Sequence, residues 1–195
     1  MRSTLIFSIS LIWLVLSGLY VHPAKATEVF DLNFKQVNKR HGLSDSSVLD
    51  IVEDRKGYIW IATANGLNRY SGYDVKQYHP SDVNPNSIPS GYVPKLLLDS
   101  DGELWAATQA GLAVYLPESD NFKVFNKENS LVKTDFITHL SESSNGDILF
   151  TDPKHLYKYS KQHNRIEIVT KFSDTPAFIH VIRDEANRVW LGSNR

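Results

Sequence analysis

A tryptophan-bearing strand recurs at a fixed step along this chain, and no other feature limits the possible folds so strongly. Gly57-Tyr58-Ile59-Trp60-Ile61-Ala62-Thr63-Ala64-Asn65-Gly66-Leu67 is followed by Gly102-Glu103-Leu104-Trp105-Ala106-Ala107-Thr108-Gln109-Ala110-Gly111-Leu112, with Trp60 and Trp105 45 positions apart. The same step carries Asp54 to Asp99, Gly57 to Gly102, Gly66 to Gly111 and Tyr70 to Tyr115. A third copy, Gly146-Asp147-Ile148-Leu149-Phe150-Thr151, stays in register but has Leu149 in place of the tryptophan; a fourth, Val189-Trp190-Leu191-Gly192-Ser193, begins near the end of the sequence. Periods of 40 to 50 residues belong to propellers and related repeat arrays.

Each unit reads as four short strands. In the first, Val48 to Glu53 precedes the turn Asp54-Arg55-Lys56-Gly57, Tyr58 to Thr63 precedes the tight-hairpin pair Asn65-Gly66, and Leu67 to Tyr70 precedes Val75 to Tyr78. Phe122 to Phe125 and Ile166 to Val169 match that fourth strand; Phe34-Lys35-Gln36-Val37 looks like another standing alone, which suggests blades that borrow a strand across the repeat boundary. An apolar pair at spacing three opens each unit: Val48 and Ile51, Val93 and Leu96, Ile137 and Leu140, Phe178 and Val181.

The strands Ile59-Trp60-Ile61-Ala62 and Leu104-Trp105-Ala106-Ala107 are apolar throughout, where a sheet with one wet face alternates, so both faces must be covered. A radial stack of four-stranded sheets does this, with the small Ala62, Ala107 and Gly192 easing crowding towards the axis. The fold class expected is therefore all-β, a β-propeller of about three four-stranded blades plus a partial fourth. Blade repeats fall near 46–90, 91–134 and 135–176, with a truncated one from 177. Propellers have at least four blades, so these units make an incomplete ring and point to a longer parent. The tryptophans read as blade core rather than as a ligand platform, burying on the order of 200 Å² each.

Residues 1–26 carry two bases and no acids: Arg2, an apolar run from Leu5 to Val21, and Ala24-Lys25-Ala26, the small-x-small pattern of a cleaved signal peptide. Residues 27–195 then form the partial propeller, exported and expected in the periplasm. They hold 19 bases against 22 acids, which supplies no basic footprint for nucleic acid. The absence of cysteine excludes disulfides, thiolate metal sites and a cysteine nucleophile.

Chemistry is sparse. The histidines at 22, 41, 79, 139, 155, 163 and 180 lack the helical spacing of zinc proteases and read as scattered loop residues. Asp99-Ser100-Asp101-Gly102-Glu103 has the alternating oxygen ligands of a calcium loop but reaches Ala110, not a glutamate, at its twelfth position, so it reads as a hairpin turn. The Pro- and Asn-bearing connection from His79 to Gly91 reads as an inter-blade crossover. No catalytic residue, metal site or cofactor is expected, and no ligand-binding residue is assigned.

These residues resemble the two-component regulator propeller repeat, whose pattern runs Asp-x-x-Gly-x-hydrophobic-Trp-hydrophobic-Gly-Thr-x-x-Gly-Leu-x-x-Tyr. Asp54, Gly57, Trp60, Thr63, Gly66, Leu67 and Tyr70 match it, as do Asp99, Gly102, Trp105, Thr108, Gly111, Leu112 and Tyr115. His41-Gly42-Leu43-Ser44-Asp45-Ser46-Ser47-Val48 is similar to the lead-in of such proteins. Ala62 and Ala107 depart from the pattern, as does Asn187 at the turn glycine. The resemblance covers roughly residues 30 to 195. It implies the extracytoplasmic ligand-sensing propeller of a transmembrane signalling protein, first of all a hybrid histidine kinase. The partner expected is an unidentified small ligand, with a glycan as first candidate; the membrane is reached only through the parent's span, and a homodimer is admitted. The alternatives are the sensor of a diguanylate cyclase, or a lyase similar to the streptogramin lyases, which requires histidines and a carboxylate converging on the axis.

Overall fold

The computed structural model describes residues 34–171 and 178–193, and in it the repeat folds as consecutive antiparallel sheets. The first blade is β1 (Val48–Glu53), β2 (Ile59–Thr63), β3 (Gly66–Tyr70) and β4 (Val75–Tyr78). The second is β5 (Lys95–Leu98), β6 (Leu104–Thr108), β7 (Gly111–Leu116) and β8 (Asn121–Phe125), and the third is β9 (His139–Glu142), β10 (Ile148–Thr151), β11 (His155–Ser160) and β12 (Arg165–Lys171). β13 (Phe178–Arg183) and β14 (Val189–Ser193) pair as a two-stranded sheet. The first strands of successive blades lie side by side, β1 by β5, β5 by β9 and β9 by β13, and so mark an axis. The sheets do not close around it: this is an incomplete propeller.

Two expectations need correction or restriction. Phe34 to Val37 is not a strand: it joins no described sheet, and every described blade is built from consecutive strands rather than a borrowed one. The chain there leads instead into a single 3-10 turn, Lys39–His41, capped by the Asn38 side chain, which accepts from the Arg40 amide at 2.9 Å. The signal segment lies outside the described residues.

The repeated aspartate and tryptophan, six positions apart, are one device. Asp54 Oδ1 accepts the Lys56 and Tyr58 amides at 2.9 and 3.0 Å, which fixes the β1–β2 turn, while Oδ2 accepts the Trp60 indole N–H at 2.8 Å. Asp99 does the same for Asp101, Glu103 and Trp105, and Asp184 for Arg188 and Trp190. In the third blade both partners are replaced together. Ser143 stands where the aspartate would be and Leu149 where the tryptophan would be, and the turn is held by the Gly146 amide donating to the Ser143 carbonyl at 3.1 Å. Once the indole is absent, no carboxylate is needed to receive it. The turn also needs a left-handed residue, supplied by Gly57, Gly102 and Gly146 at φ of 81°, 88° and 82°. At the fourth turn Asn187 takes φ 62°, a conformation asparagine tolerates better than most residues.

Trp60 and Trp105 occupy equivalent places. Each stacks on an aromatic ring of its own fourth strand, Tyr78 or Phe125, and meets a tyrosine of the next blade's third strand, Tyr115 or Tyr159. Both are buried, at 0% and 1% exposure, whereas Trp190, with no described blade beyond it, is 53% exposed. The same asymmetry marks the other open face: Val48 and Ile51 are exposed, while Val93, Leu96, Ile137 and Leu140 are buried. Burial of this repeat therefore comes from neighbouring blades, one interface at a time. Polar latches lock the outer strands. Asp120, at φ 53° in the β7–β8 turn, accepts the Tyr78 and Tyr115 hydroxyls at 2.7 and 2.6 Å and pairs with Lys76; Asn164 repeats the device at φ 50°, accepting from Tyr159 and Lys123 at 2.7 Å each.

Candidate functional site at the blade axis

Alternation along the inner strands brings one register position repeatedly to the axis. Counting two residues on from Val48, Val93, Ile137 and Phe178, that position holds Asp50, Lys95, His139 and His180, on β1, β5, β9 and β13. Across the ladder each faces a small residue of the second strand: Ala62, Ala107, Thr151 and Gly192 respectively. Gly192 is not in the left-handed region; a Cβ there would sit 3.4 Å from the His180 Cβ, so its smallness makes room for the imidazole.

The four side chains form two couples between adjoining blades. Asp50 accepts the Lys95 ammonium and the Leu96 amide, both at 2.8 Å, so both charges are matched. The His139 and His180 rings meet edge to face with centroids 4.9 Å apart. Burial, then the nearby His180 and Lys95, pull the His139 imidazole down to about 4, which leaves it neutral around pH 7. Its Nδ1 is buried with no hydrogen-bond partner. Around the couples lies a recess of about 380 Å³ with Leu49, Thr138 and Phe136 in its wall, Phe136 itself 38% exposed. The recess opens at the end of the sheets that carries the β2–β3 hairpins and the inter-blade crossovers. It offers one apolar ring, the Lys95 ammonium and two imidazoles, a combination suited to a polar ligand with an apolar face.

The remaining sequence candidates are placed as follows. His41 bonds Asn38, His79 bonds Gln77 and His163 bonds Ser160, at 3.0, 2.8 and 3.1 Å, all in loops or at strand ends. His22 lies outside the described residues. His139, His155 and His180 are not loop residues but strand residues, contrary to the expectation of a scattered set. His155 is buried under the β10–β11 hairpin, its Nδ1 3.0 Å from both oxygens of the fully buried Asp152, which also accepts the Tyr157 hydroxyl at 2.5 Å. This triad fills the place that Gly66 and Gly111 hold in the first two blades.

The calcium-like loop does gather its carboxylates: oxygens of Asp99, Asp101 and Glu103 lie within 4.8 Å of one another. The position between them is held by the Lys161 ammonium from the third blade, 2.6, 2.7 and 2.9 Å from the three. Burial opposes that charge, and hydrogen bonds to Asp101, Asp99 and Glu103 outweigh it, holding Lys161 above its ordinary range. The cluster is an inter-blade lock with a built-in cation. The His79 to Gly91 crossover likewise works as a seam: the Gly91 carbonyl accepts the Gly66 amide at 2.6 Å, the Asn86 carbonyl accepts the Phe122 amide at 2.8 Å, and Ile88 is fully buried.

Sequence reasoning missed the axial set because it examined histidine spacing on a helical template. The signal was present in the repeat itself, since His139 and His180 are 41 positions apart, as are Leu149 and Trp190.

Comparison with known proteins agrees with this architecture. Among solved structures, the extracellular domain of the hybrid two component system BT3049 from B. thetaiotaomicron superposes with a TM-score of 0.72 at 23% identity, covering 82% of this chain and 24% of that one. Virginiamycin B lyase from Staphylococcus aureus gives 0.59 at 13% identity, covering 77% of this chain and 50% of the lyase. At these identities the likeness establishes the propeller fold. Histidine kinase P4 of Formosa agariphila is 40% identical over 55 residues, 28% of this chain but 4% of the kinase, so the chain spans a small part of the relatives it matches. Among the described residues no helix is long and apolar enough to cross a membrane. The two component regulator propeller family model matches residues 42–65 and 87–110, the segments that run into the first two tryptophan strands and their hairpins, so over these two segments the chain is similar to the two-component regulator propeller family.

Proposed function

We propose that this chain is the exported sensor region of a two-component signalling protein, and that the axial recess is where its stimulus binds. The observation that carries the reading is the convergence of Lys95, His139 and His180 with the exposed Phe136 ring on a recess of about 380 Å³, on a scaffold of two-component regulator propeller repeats. An aromatic wall facing hydrogen-bonding groups suits a sugar ring, so a glycan or its breakdown product is the ligand class proposed. Occupancy would bridge inner strands of different blades, and a ligand that binds one arrangement of the blades better than another shifts the population towards it. The output lies in the parent chain, and a histidine kinase is the output proposed.

The test is a thermal-shift screen of the chain against oligosaccharides and their monomers. A saturable rise in midpoint that disappears in Lys95→Ala and Phe136→Ala supports the reading; no shift across the panel, or a shift indifferent to both changes, overturns it. A lyase on the same scaffold is the second reading, and the presence of two imidazoles at the same axial register as Asp50 favours it. It requires turnover of a streptogramin B substrate, which product analysis detects directly, whereas the sensor reading requires binding without conversion.

A further inference from the structure

Asparagine followed by glycine occurs at two turns of this chain, Asn65-Gly66 and Asn145-Gly146, and the fold holds the two pairs differently. In such a pair the glycine amide nitrogen is one residue from the asparagine carboxamide, so a five-membered ring can close between them, and glycine puts no side chain in the way. At the first pair the Gly66 amide is buried and donates at 2.6 Å to the Gly91 carbonyl of the inter-blade crossover. The Asn65 carboxamide is also packed on that crossover, since a Cβ added at Gly91 would come within 3.1 Å of its Oδ1. At the second pair Asn145 is exposed in the β9–β10 turn, and the Gly146 amide donates at 3.1 Å to the Ser143 carbonyl of the same turn. The Asn145 carboxamide is gripped at both ends: the Ser143 hydroxyl donates to Oδ1 at 2.5 Å, and Nδ2 donates to Asp147 Oδ2 at 2.9 Å.

We propose that Asn145 is a site of spontaneous deamidation, a modification from which the fold protects Asn65. The Gly146 nitrogen attacks Asn145 Cγ and closes a succinimide ring; the Cγ–Nδ2 bond breaks, and the amine leaves as ammonia with the proton given up by the Gly146 amide. Water then opens the ring at either carbonyl, leaving aspartate or an isoaspartyl linkage, and nothing else is consumed. The Ser143 hydroxyl on Oδ1 steadies the negative charge that develops on that oxygen during attack. The β9–β10 turn is also the one in which Ser143 and Leu149 replace the aspartate and tryptophan, so the Gly146 amide is released by opening a turn that has no carboxylate to hold it. The product places a carboxylate beside Asp147, so a like-charge contact replaces the hydrogen bond from Nδ2. Asp147 Oδ1 accepts the Lys161 amide at 3.1 Å, which carries the change to the residue whose ammonium locks the third blade to the second. The site lies at the end of the sheets opposite the axial recess and is independent of the sensor reading.

Peptide mapping by mass spectrometry, after incubation of the folded chain at mildly alkaline pH, tests it. The expected result is a one-dalton gain in the peptide that holds Asn145, with isoaspartate detected there by enzymatic methylation, while the peptide that holds Asn65 stays unchanged. In urea both pairs should convert at comparable rates, which assigns the difference to the fold rather than to the local sequence. Ser143→Ala, with circular dichroism as a check on folding, should slow conversion at Asn145 severalfold, and an unchanged rate would remove the part given to the hydroxyl. Asn145 left intact in the folded chain over the time in which the unfolded chain converts overturns the proposal, and so does conversion of Asn65 in the folded chain as fast as that of Asn145.

Discussion

If the aspartate and tryptophan of each repeat act as one unit, changing them together must cost less than the sum of changing them singly, and the first blade allows the cleanest test. Trp60 is fully buried, and truncating it to leucine removes ring contacts with Tyr78 and Tyr115 as well as the 2.8 Å bond to Asp54. Large-to-small changes in a core cost about 2–4 kcal/mol. Asp54→Ser leaves the Trp60 indole N–H buried without an acceptor, at about 1–3 kcal/mol. In the double variant, the arrangement that Ser143 and Leu149 already show in the third blade, the hydrogen bond is lost once rather than counted twice. The coupling expected is about 1–2 kcal/mol, within the range for residues in contact. Urea unfolding followed by far-ultraviolet circular dichroism on all four proteins measures it without relying on tryptophan emission. Additivity to within about 0.5 kcal/mol would refute the reasoning. Asp184→Ser is the internal control: its bond to Trp190 is the same 2.8 Å, but that ring is 53% exposed, so the loss should stay below about 1 kcal/mol.

Three further outcomes follow from the same geometry. Gly111→Ala should cost more than Gly72→Ala in thermal melts, by about 1–2 kcal/mol or more, because both residues have positive φ but only the Gly111 Cβ would lie 2.6 Å from a backbone oxygen, that of Phe125. Asp120, on which burial acts upwards and the bonds from Lys76, Tyr115 and Tyr78 act downwards more strongly, is lowered to about 2. A carboxyl lowered in the folded state contributes stability that is full above its unfolded value and is lost as pH falls, here from about 4 towards 2; in Asp120→Asn acid melts should show a shallower loss over that window. Lys161→Met should weaken the chain at low calcium and make its melting temperature rise with added CaCl₂, since the three carboxylates then lack their internal cation, whereas the wild-type melting temperature should respond little.

The fold was legible because its causes are local and repeated. The turn at Asp54 to Gly57, the hairpin at Asn65-Gly66 and the unbroken apolar run around Trp60 each dictate an element on their own, and their return 45 positions later dictates how the elements associate. What escaped was whatever depends on one blade answering another. Nothing near Lys161 in sequence announces that it will stand between Asp99, Asp101 and Glu103, and nothing near Asp120 announces Tyr78. The isolated segment Phe34 to Val37 was misread for the opposite reason: strand-forming residue types were present, but a strand exists only where a ladder receives it, and no described sheet does so.

The axial set follows from both conditions at once. A repeat fixes the positions at which inner strands reach the axis but leaves the residues there free, because they contribute little to the packing between blades that the tryptophans supply. Structural positions therefore converge on one identity, Trp60 matching Trp105 and Thr63 matching Thr108, while the axial position carries aspartate, lysine and two histidines in succession. Position is inherited from the repeat and chemistry is added blade by blade. In a chain of this kind the columns of the repeat that disagree most while facing a common recess are thus where binding chemistry is concentrated, and the aligned register locates them before any coordinates are consulted.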